Sequence, residues 1–301
     1  MKKSVSMLLA ALMLTGALAG CGSSASTSAS DTQAADGADS GVSGAITVIS
    51  REDGSGTRGA FIELTGVEEK TADGKKVDNT TADAEIANKT DVVLTSVAGN
   101  EKAIGYISLG ALNDTVKAVK VDGAEATVDN VKAGAYKLSR PFNIATKGEP
   151  TGVAKDFINF ILSKEGQAVV TDNKYIAVND AAESFVSDGS SGQIAVGGSS
   201  SVSPVMEKLI EAYKSVNPNA SIDLQTSDST SGMTGAMDGT FAIGMASREL
   251  KDEEAAQLTG TAIALDGIAV IVNPANTIDE LSMDQIKSIY IGDITDWGDL
   301  A

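Results

Sequence analysis

Ile46-Thr47-Val48-Ile49-Ser50-Arg51-Glu52-Asp53-Gly54-Ser55-Gly56-Thr57-Arg58 is the stretch that decides the fold. Its β-branched start favours a strand. Two glycines then turn the chain, and the apolar run Ala60-Phe61-Ile62-Glu63-Leu64 follows. A strand that passes through a glycine loop into a helix start leaves successive N–H groups pointing at one spot, which makes a nest for an anion. Ser55 and Thr57 add hydroxyl donors, and Gly56 lets the backbone approach closely. Arg51 supplies a planar fork suited to two oxygens of a tetrahedral anion, with Asp53 expected to hold its guanidinium. The whole chain has four arginines, and two of them lie in this loop.

Gly54, Gly56 and Gly59 also satisfy the spacing of a dinucleotide fingerprint, but the context is wrong. Four residues separate strand from turn, and Asp73 and Asp78 lie in a polar, turn-rich stretch rather than at the end of a second strand. No Gly-Lys-Ser/Thr follows, so it is not a P-loop either.

Outward from this loop, strands and helices alternate. Strands are expected at Val92 to Leu94, Ala103 to Ile107, Ala118 to Val121, Tyr175 to Val178, Gln193 to Val196, Ser221 to Gln225 and Gly267 to Val272. Helices are expected at Ala82 to Asn88, Lys155 to Val170, Val205 to Val216 and Met283 to Ile289, with Ser203 as N-cap and Pro204 at the first helical position. The pattern predicts α/β lobes with mainly parallel sheets, whose ligands lie beyond the carboxyl ends of the strands.

Two further loops fall at such ends. Gly197-Gly198-Ser199-Ser200-Ser201-Val202-Ser203-Pro204 runs from a strand into a helix, and Asp228-Ser229-Thr230-Ser231-Gly232 does the same. Alone, each also reads as an ordinary serine-rich helix cap. Together with the arginine loop they assemble an anion site from Arg51, Asp53, Ser55, Gly56, Thr57, Ser200, Ser201, Val202 and Ser229. Ser247 and Arg248 form a fourth contact point, or a surface arginine at a helix start.

The chain has 301 residues, 41 acidic and 23 basic side chains, one cysteine and no histidine. Without histidine there is no Ser-His-Asp or Cys-His catalysis and no His-ligated zinc site. The formal charge of −18 argues against nucleic acid as a partner. No metal or other cofactor is expected. Lys2 and Lys3 precede an apolar stretch over Ser4 to Ala19, too short for a confident transmembrane span, that reads as a secretory signal. Residues 22–44 are small and polar and read as a tether. Residues 45–180 and 193–301 read as two halves of a binding body joined by a polar linker at 181–192.

Several motifs resemble a known family. Leu18-Ala19-Gly20-Cys21 resembles a bacterial lipobox, which implies cleavage before Cys21 and lipidation of its thiol. Arg51 to Thr57 resembles the signature of the phosphate-binding proteins that feed phosphate-specific ABC importers. Gly198 to Pro204, Ser229 to Gly232, Asp266 to Asn273 and Ile291 to Trp297 resemble other segments of that family. The resemblance implies a two-lobe, type II periplasmic-binding-protein-like α/β fold that captures inorganic phosphate and does no chemistry. It implies membrane permease and ATPase subunits as partners, a lipid anchor in the membrane, and a location on the outer face of the cytoplasmic membrane. The order of the segments departs from the family, in which the Gly198 to Trp297 segment comes first, so the chain reads as circularly permuted. The family's Asp near Ala246-Ser247-Arg248 is also replaced here, which leaves sulfate or molybdate as alternative ligands. A phosphate sensor and a secreted phosphatase are rival readings.

Overall fold

A computed structural model describes residues 42–300. Cys21, the signal stretch and most of the tether lie outside the described residues. Along the chain come β1 (Thr47–Arg51), α1 (Gly56–Thr65), a hairpin of β2 (Glu68–Lys70) and β3 (Lys76–Asp78), β4 (Glu85–Ala87), α2 (Thr90–Ala98), β5 (Ala103–Ser108), β6 (Lys117–Ala118), β7 (Lys120–Val121) and α3 (Val128–Lys132). Then follow β8 (Ser139–Thr146), α4 (Gly152–Leu162), α5 (Lys164–Asp172), β9 (Gly192–Ser199), α6 (Ser203–Val216), β10 (Ala220–Ser227), α7 (Ser229–Asp238) and β11 (Ile243–Ala246). The run ends with α8 (Asp252–Ala255), β12 (Thr259–Val272), β13 (Glu280–Leu281) and α9 (Met283–Ile291).

The main sheet has the order β10-β9-β11-β8-β12-β5-β1-β4, with β6 also on β12. It is mixed rather than mainly parallel. β1 pairs parallel with β4 and β5, and β9 pairs parallel with β10 and β11. The central strands β8 and β12 run antiparallel to each other and to their neighbours. These two strands divide the molecule into lobes. β12 pairs with β8 over Thr259 to Gly267 and with β5 over Ile268 to Val272, so one strand serves both sides. The second lobe is therefore a continuous segment, roughly residues 139–266, and the first lobe is built from the segments on either side of it. The two halves expected from the sequence, 45–180 and 193–301, are not the two lobes in space. The polar linker marks no lobe boundary, because the chain crosses between lobes inside strands.

Each lobe has its own core. In the first, Phe61 stacks on Tyr106 with ring centroids 3.9 Å apart, and Tyr290 meets Phe61 edge-on. In the second, Phe157 and Phe160 pack around Tyr213. Each such ring taken out of water contributes on the order of 2–3 kcal/mol.

Several expected elements differ. Ala82 to Asn88 is not a helix. Glu85 to Ala87 pairs with β1 as an edge strand, because pairing at an open sheet edge outweighs the helix propensity of the alanines, which tertiary context routinely overrides. Val92 to Leu94 is not a strand. It lies in α2, whose buried residues Thr90, Val93, Leu94 and Val97 follow helical spacing. The Lys155 to Val170 helix is broken at Ser163, whose extended backbone ends α4 and whose Oγ accepts from the Gly166 amide at 3.2 Å to start α5. Tyr175 to Val178 makes only one bridge, Ile176 to Leu265. Ser203 is the first helical residue of α6 rather than its cap, and Val202 precedes it.

The 181–192 linker is pinned. Asp156 on α4 is buried and accepts from Ser187 Oγ at 2.8 Å, the Asp188 amide at 3.0 Å, Tyr213 OH at 2.7 Å and Asn217 Nδ2 at 3.1 Å. Burial works to raise the Asp156 pKa, but the hydrogen bonds prevail and hold it below the usual carboxylate value. Phe185 adds an edge-on contact with Phe160.

Candidate functional site: an anion cleft between the lobes

The cleft is made where β1 and β9 end and four helices begin. Arg51 closes β1 and is buried. Its Nε and Nη2 donate to Glu52 Oε2 and Oε1, each at 2.8 Å, a two-point fork. Nε also reaches the Ala87 carbonyl at 3.2 Å. Nη1 reaches Thr90 Oγ1 at 3.5 Å, and Nη2 crosses to the second lobe to donate to Ser200 Oγ at 3.1 Å. Arg58 supports the turn from behind by donating to the Arg51 carbonyl at 2.7 Å. Tyr106 lies beneath, where its hydroxyl accepts from the Arg51 amide at 3.1 Å and shares a 2.9 Å bond with Ser50 Oγ. Burial holds the Tyr106 phenol protonated, with its pKa raised.

Hydroxyls meet across the cleft. Thr57 Oγ1 and Ser201 Oγ are 2.8 Å apart, and Thr90 Oγ1 is 3.3 Å from the same Ser201. Within the second lobe Ser199 Oγ donates to Ser247 Oγ at 3.0 Å, and Ser229 Oγ accepts from the Ser247 amide at 3.1 Å. Thr57, Thr90 and Ser229 lie in the first turns of α1, α2 and α7, and Ser201 lies two residues before α6. Each helix start carries a partial positive charge of roughly half an elementary charge. An acceptor-rich guest therefore meets four dipole ends, a ring of hydroxyls and one guanidinium.

Close approach explains the glycines here. A β-carbon on Gly56 would overlap Ser229 Oγ and Ser247 Oγ of the opposite lobe. Gly198 has φ +136°, and a β-carbon there would run into the Met245 carbonyl and Gly232. Its absence lets α7 settle on the sheet and bring Ser229 to the cleft.

Most of the residues expected from the sequence gather at this place, but Asp53, Ser55, Val202 and Arg248 make other contacts than expected. Asp53 does not hold Arg51. It is 98% exposed and pairs with Arg58 at 2.9 Å, while Glu52 takes the role expected of it. Ser55 lies at the loop, but its Oγ caps α1 by accepting from the Arg58 amide at 3.3 Å. The Val202 amide is already bonded to the Ser199 carbonyl at 3.0 Å. Arg248 borders the cleft from the second lobe, but its Nη1 and Nη2 are forked by Glu254 at 2.7 and 2.8 Å and also reach the Glu249 carbonyl and Thr230 Oγ1. Burial works to raise the Glu254 pKa, yet the bonds from Arg248 and the Lys251 amide hold it low, so the pair stays charged. The sequence reading missed Glu52, Thr90 and Ser199. The helical spacing 90/93/94/97 was the available signal for Thr90.

A two-lobed α/β body with its polar site in the cleft is the architecture of a solute-binding protein, and the comparisons agree. Residues 21–165 and 184–301 match the profile described as a PBP superfamily domain. The chain is 49% identical over 302 residues to phosphate-binding protein PstS 2 of Streptococcus agalactiae serotype V, which covers 99% of this chain and 98% of that protein. The crystal structure of a phosphate ABC transporter phosphate-binding protein from Streptococcus pneumoniae TIGR4 is 50% identical, covers 86% of this chain and all of that one, and superposes with a TM-score of 0.69. Phosphate-binding protein PstS of Bacillus subtilis matches at 34% identity over 137 residues, 45% of this chain and 42% of that protein. The chain belongs to the PstS phosphate-binding protein family of the PBP superfamily.

Proposed function

We propose that the protein captures inorganic phosphate outside the cytoplasm and delivers it to the permease and ATPase subunits of an ABC importer, without catalysing a reaction. The observation that carries this reading is the meeting of Arg51, Thr57 and Thr90 from one lobe with Ser200 and Ser201 from the other. A tetrahedral oxyanion would exchange these hydroxyl–hydroxyl bonds for charge-assisted ones, which are about twice as strong. It would thereby bridge the lobes and favour the closed state. Isothermal titration with phosphate, sulfate, arsenate and molybdate tests this: phosphate and its isostere arsenate bind, and sulfate and molybdate bind more weakly. No heat from any of the four removes the reading.

The anchoring is part of the same proposal. The sequence around Cys21 supports a lipidated cysteine joined to the body by the small polar residues after it; the tether expected over 22–44 ends earlier than read, because the Val42 amide donates to Thr277 Oγ1 at 3.0 Å and the Gly44 amide to Asp296 Oδ1 at 2.9 Å on the body. No helix among the described residues is long and apolar enough to cross a membrane. Metabolic labelling with a tritiated fatty acid reads the anchor directly, with Cys21→Ala as the control that loses it.

The permuted order is proposed relative to proteins such as that of Bacillus subtilis, since the Streptococcus agalactiae protein matches end to end and shares the order of this chain; it has two supports. The lobe built from one continuous segment carries the serine loops, and the arginine loop comes before it. The match to the Bacillus subtilis protein also stops at less than half of either chain, as a collinear alignment does when it meets a shifted junction.

A further inference from the structure

Among the described residues, three buried side-chain polar atoms have no hydrogen-bond partner: Arg140 Nε, Arg140 Nη1 and Tyr175 OH. Buried donors are almost always paired, so orphans call for a physical reason. Arg140 lies at the start of β8, directly opposite Asp266 in the ladder, at the place where both strands pass from one lobe to the other. Its Nη2 donates to Asp266 Oδ2 at 3.1 Å, and the side chains are 2% and 0% exposed.

This pair is wired to the anion cleft. Ser108 ends β5 and donates to Asp266 Oδ1 at 2.9 Å. Tyr106, two residues earlier and so on the same face of β5, holds the Arg51 amide. Burial above all, and the Arg51 charge in addition, lowers the Arg140 pKa. Each guanidinium has one carboxylate of its own, Glu52 for Arg51 and Asp266 for Arg140, and a further anion placed near both would offset their mutual repulsion. Arg140 also lines a cavity of about 590 Å³ between the lobes, with Gly59 of α1 on one side and Arg248 on the other; Arg51, Thr57, Thr90, Ser200 and Ser201 do not line it, so it adjoins the anion cleft at Arg248 and is not the cleft itself.

We propose that Arg140 is a second cation of the anion site, donating from its free nitrogens to the bound oxyanion, and that Asp266 positions it. The assignment rests on the phosphate reading and deepens it. It makes the site a pair of guanidinium groups, one at the end of β1 and one at the crossing of the lobes. The anion then bonds directly to a residue of the strands that join the two lobes.

Arginine Nε–H resonances test this in the wild-type protein, because four arginines give four signals. On titration with phosphate the Arg51 and Arg140 signals shift together while Arg58 stays. A shift of Arg51 alone overturns the proposal and leaves phosphate binding intact; no shift and no binding heat remove both. As a second arm, the double variant Arg140→Met with Asp266→Asn removes the buried pair as a unit. A buried ion pair replaced whole is often near neutral in stability, so the melting temperature of the ligand-free variant stays close to wild type. Its phosphate affinity falls by about thirtyfold or more, the range for losing a buried charge-assisted contact. Wild-type affinity in a folded double variant counts against Arg140 as a ligand.

Discussion

Arg51 and Arg248 face each other's lobes with the same device, a carboxylate that grips the guanidinium at two points. Glu52 holds Arg51 at 2.8 and 2.8 Å, and Glu254 holds Arg248 at 2.7 and 2.8 Å. What differs is where the other contacts go. Arg51 reaches on across the cleft to Ser200. Arg248 spends its contacts within its own lobe, on the Glu249 carbonyl and Thr230, while its stem lies over Gly56 and Gly59 of α1. The first is positioned to bind, the second to cover. A carboxylate fork thus says that an arginine is fixed; only the destination of its remaining contacts says for what.

That contrast can be broken. Arg51→Gln should cost the largest effect, about a hundredfold or more in phosphate affinity by titration calorimetry, since a buried charged contact is worth roughly 2–5 kcal/mol. An Arg51→Gln protein that binds like wild type would falsify the division of labour. Glu254→Gln should act on stability instead. Chemical denaturation should show a loss of about 3 kcal/mol from uncoupling a buried pair, with phosphate affinity changed only several-fold. The pH dependence has a definite sign. The folded-state pKa of Glu254 lies below its ordinary 4.5, so its contribution is present above that pH and is lost as pH falls through the folded value. The stability gap between wild type and Glu254→Gln should therefore narrow on acidification below about pH 4.5; a gap that widens contradicts the fork.

Smaller effects sharpen the picture. Thr57→Val removes one hydroxyl facing Ser201 and should weaken phosphate binding about fivefold, the scale of one hydrogen bond. Asp53→Asn changes an exposed charge outside the cleft and should leave affinity within about twofold. Raising salt from about 50 to 500 mM should also change affinity little, because enclosed dipoles rather than screened surface charge hold the anion; a steep salt slope would point to binding on the surface.

How far the sequence discloses this site depends on the range of the forces involved. The Arg51 loop was legible because strand, glycine turn and helix start are encoded within a dozen residues. The use of Glu52 rather than Asp53 to hold Arg51 was not. A turn closed by the Ser55 amide on the Glu52 carbonyl at 2.9 Å puts Asp53 at its outer corner, and that geometry is not in the composition. Thr90 is hidden from the sequence because Val92 to Leu94 reads as a strand, and the helix shows only in the spacing of Val93, Leu94 and Val97. The α/β class is readable from alternation, and the two-lobed arrangement from the family resemblance. The mixed sheet was not, since β8 and β12 meet from positions more than a hundred residues apart. The segment 181–192 looked like a free linker because its anchor, Asp156, lies on α4, with further partners on and just after α6.

β12 belongs to both lobes without a break in its hydrogen-bonded ladders. Neither lobe can lose its fold while the other keeps all of its strand partners. The amides of Ala262 and Val270, on opposite sides of the crossing, should exchange with solvent deuterium at similar protection, and heating should give one cooperative melt in place of two.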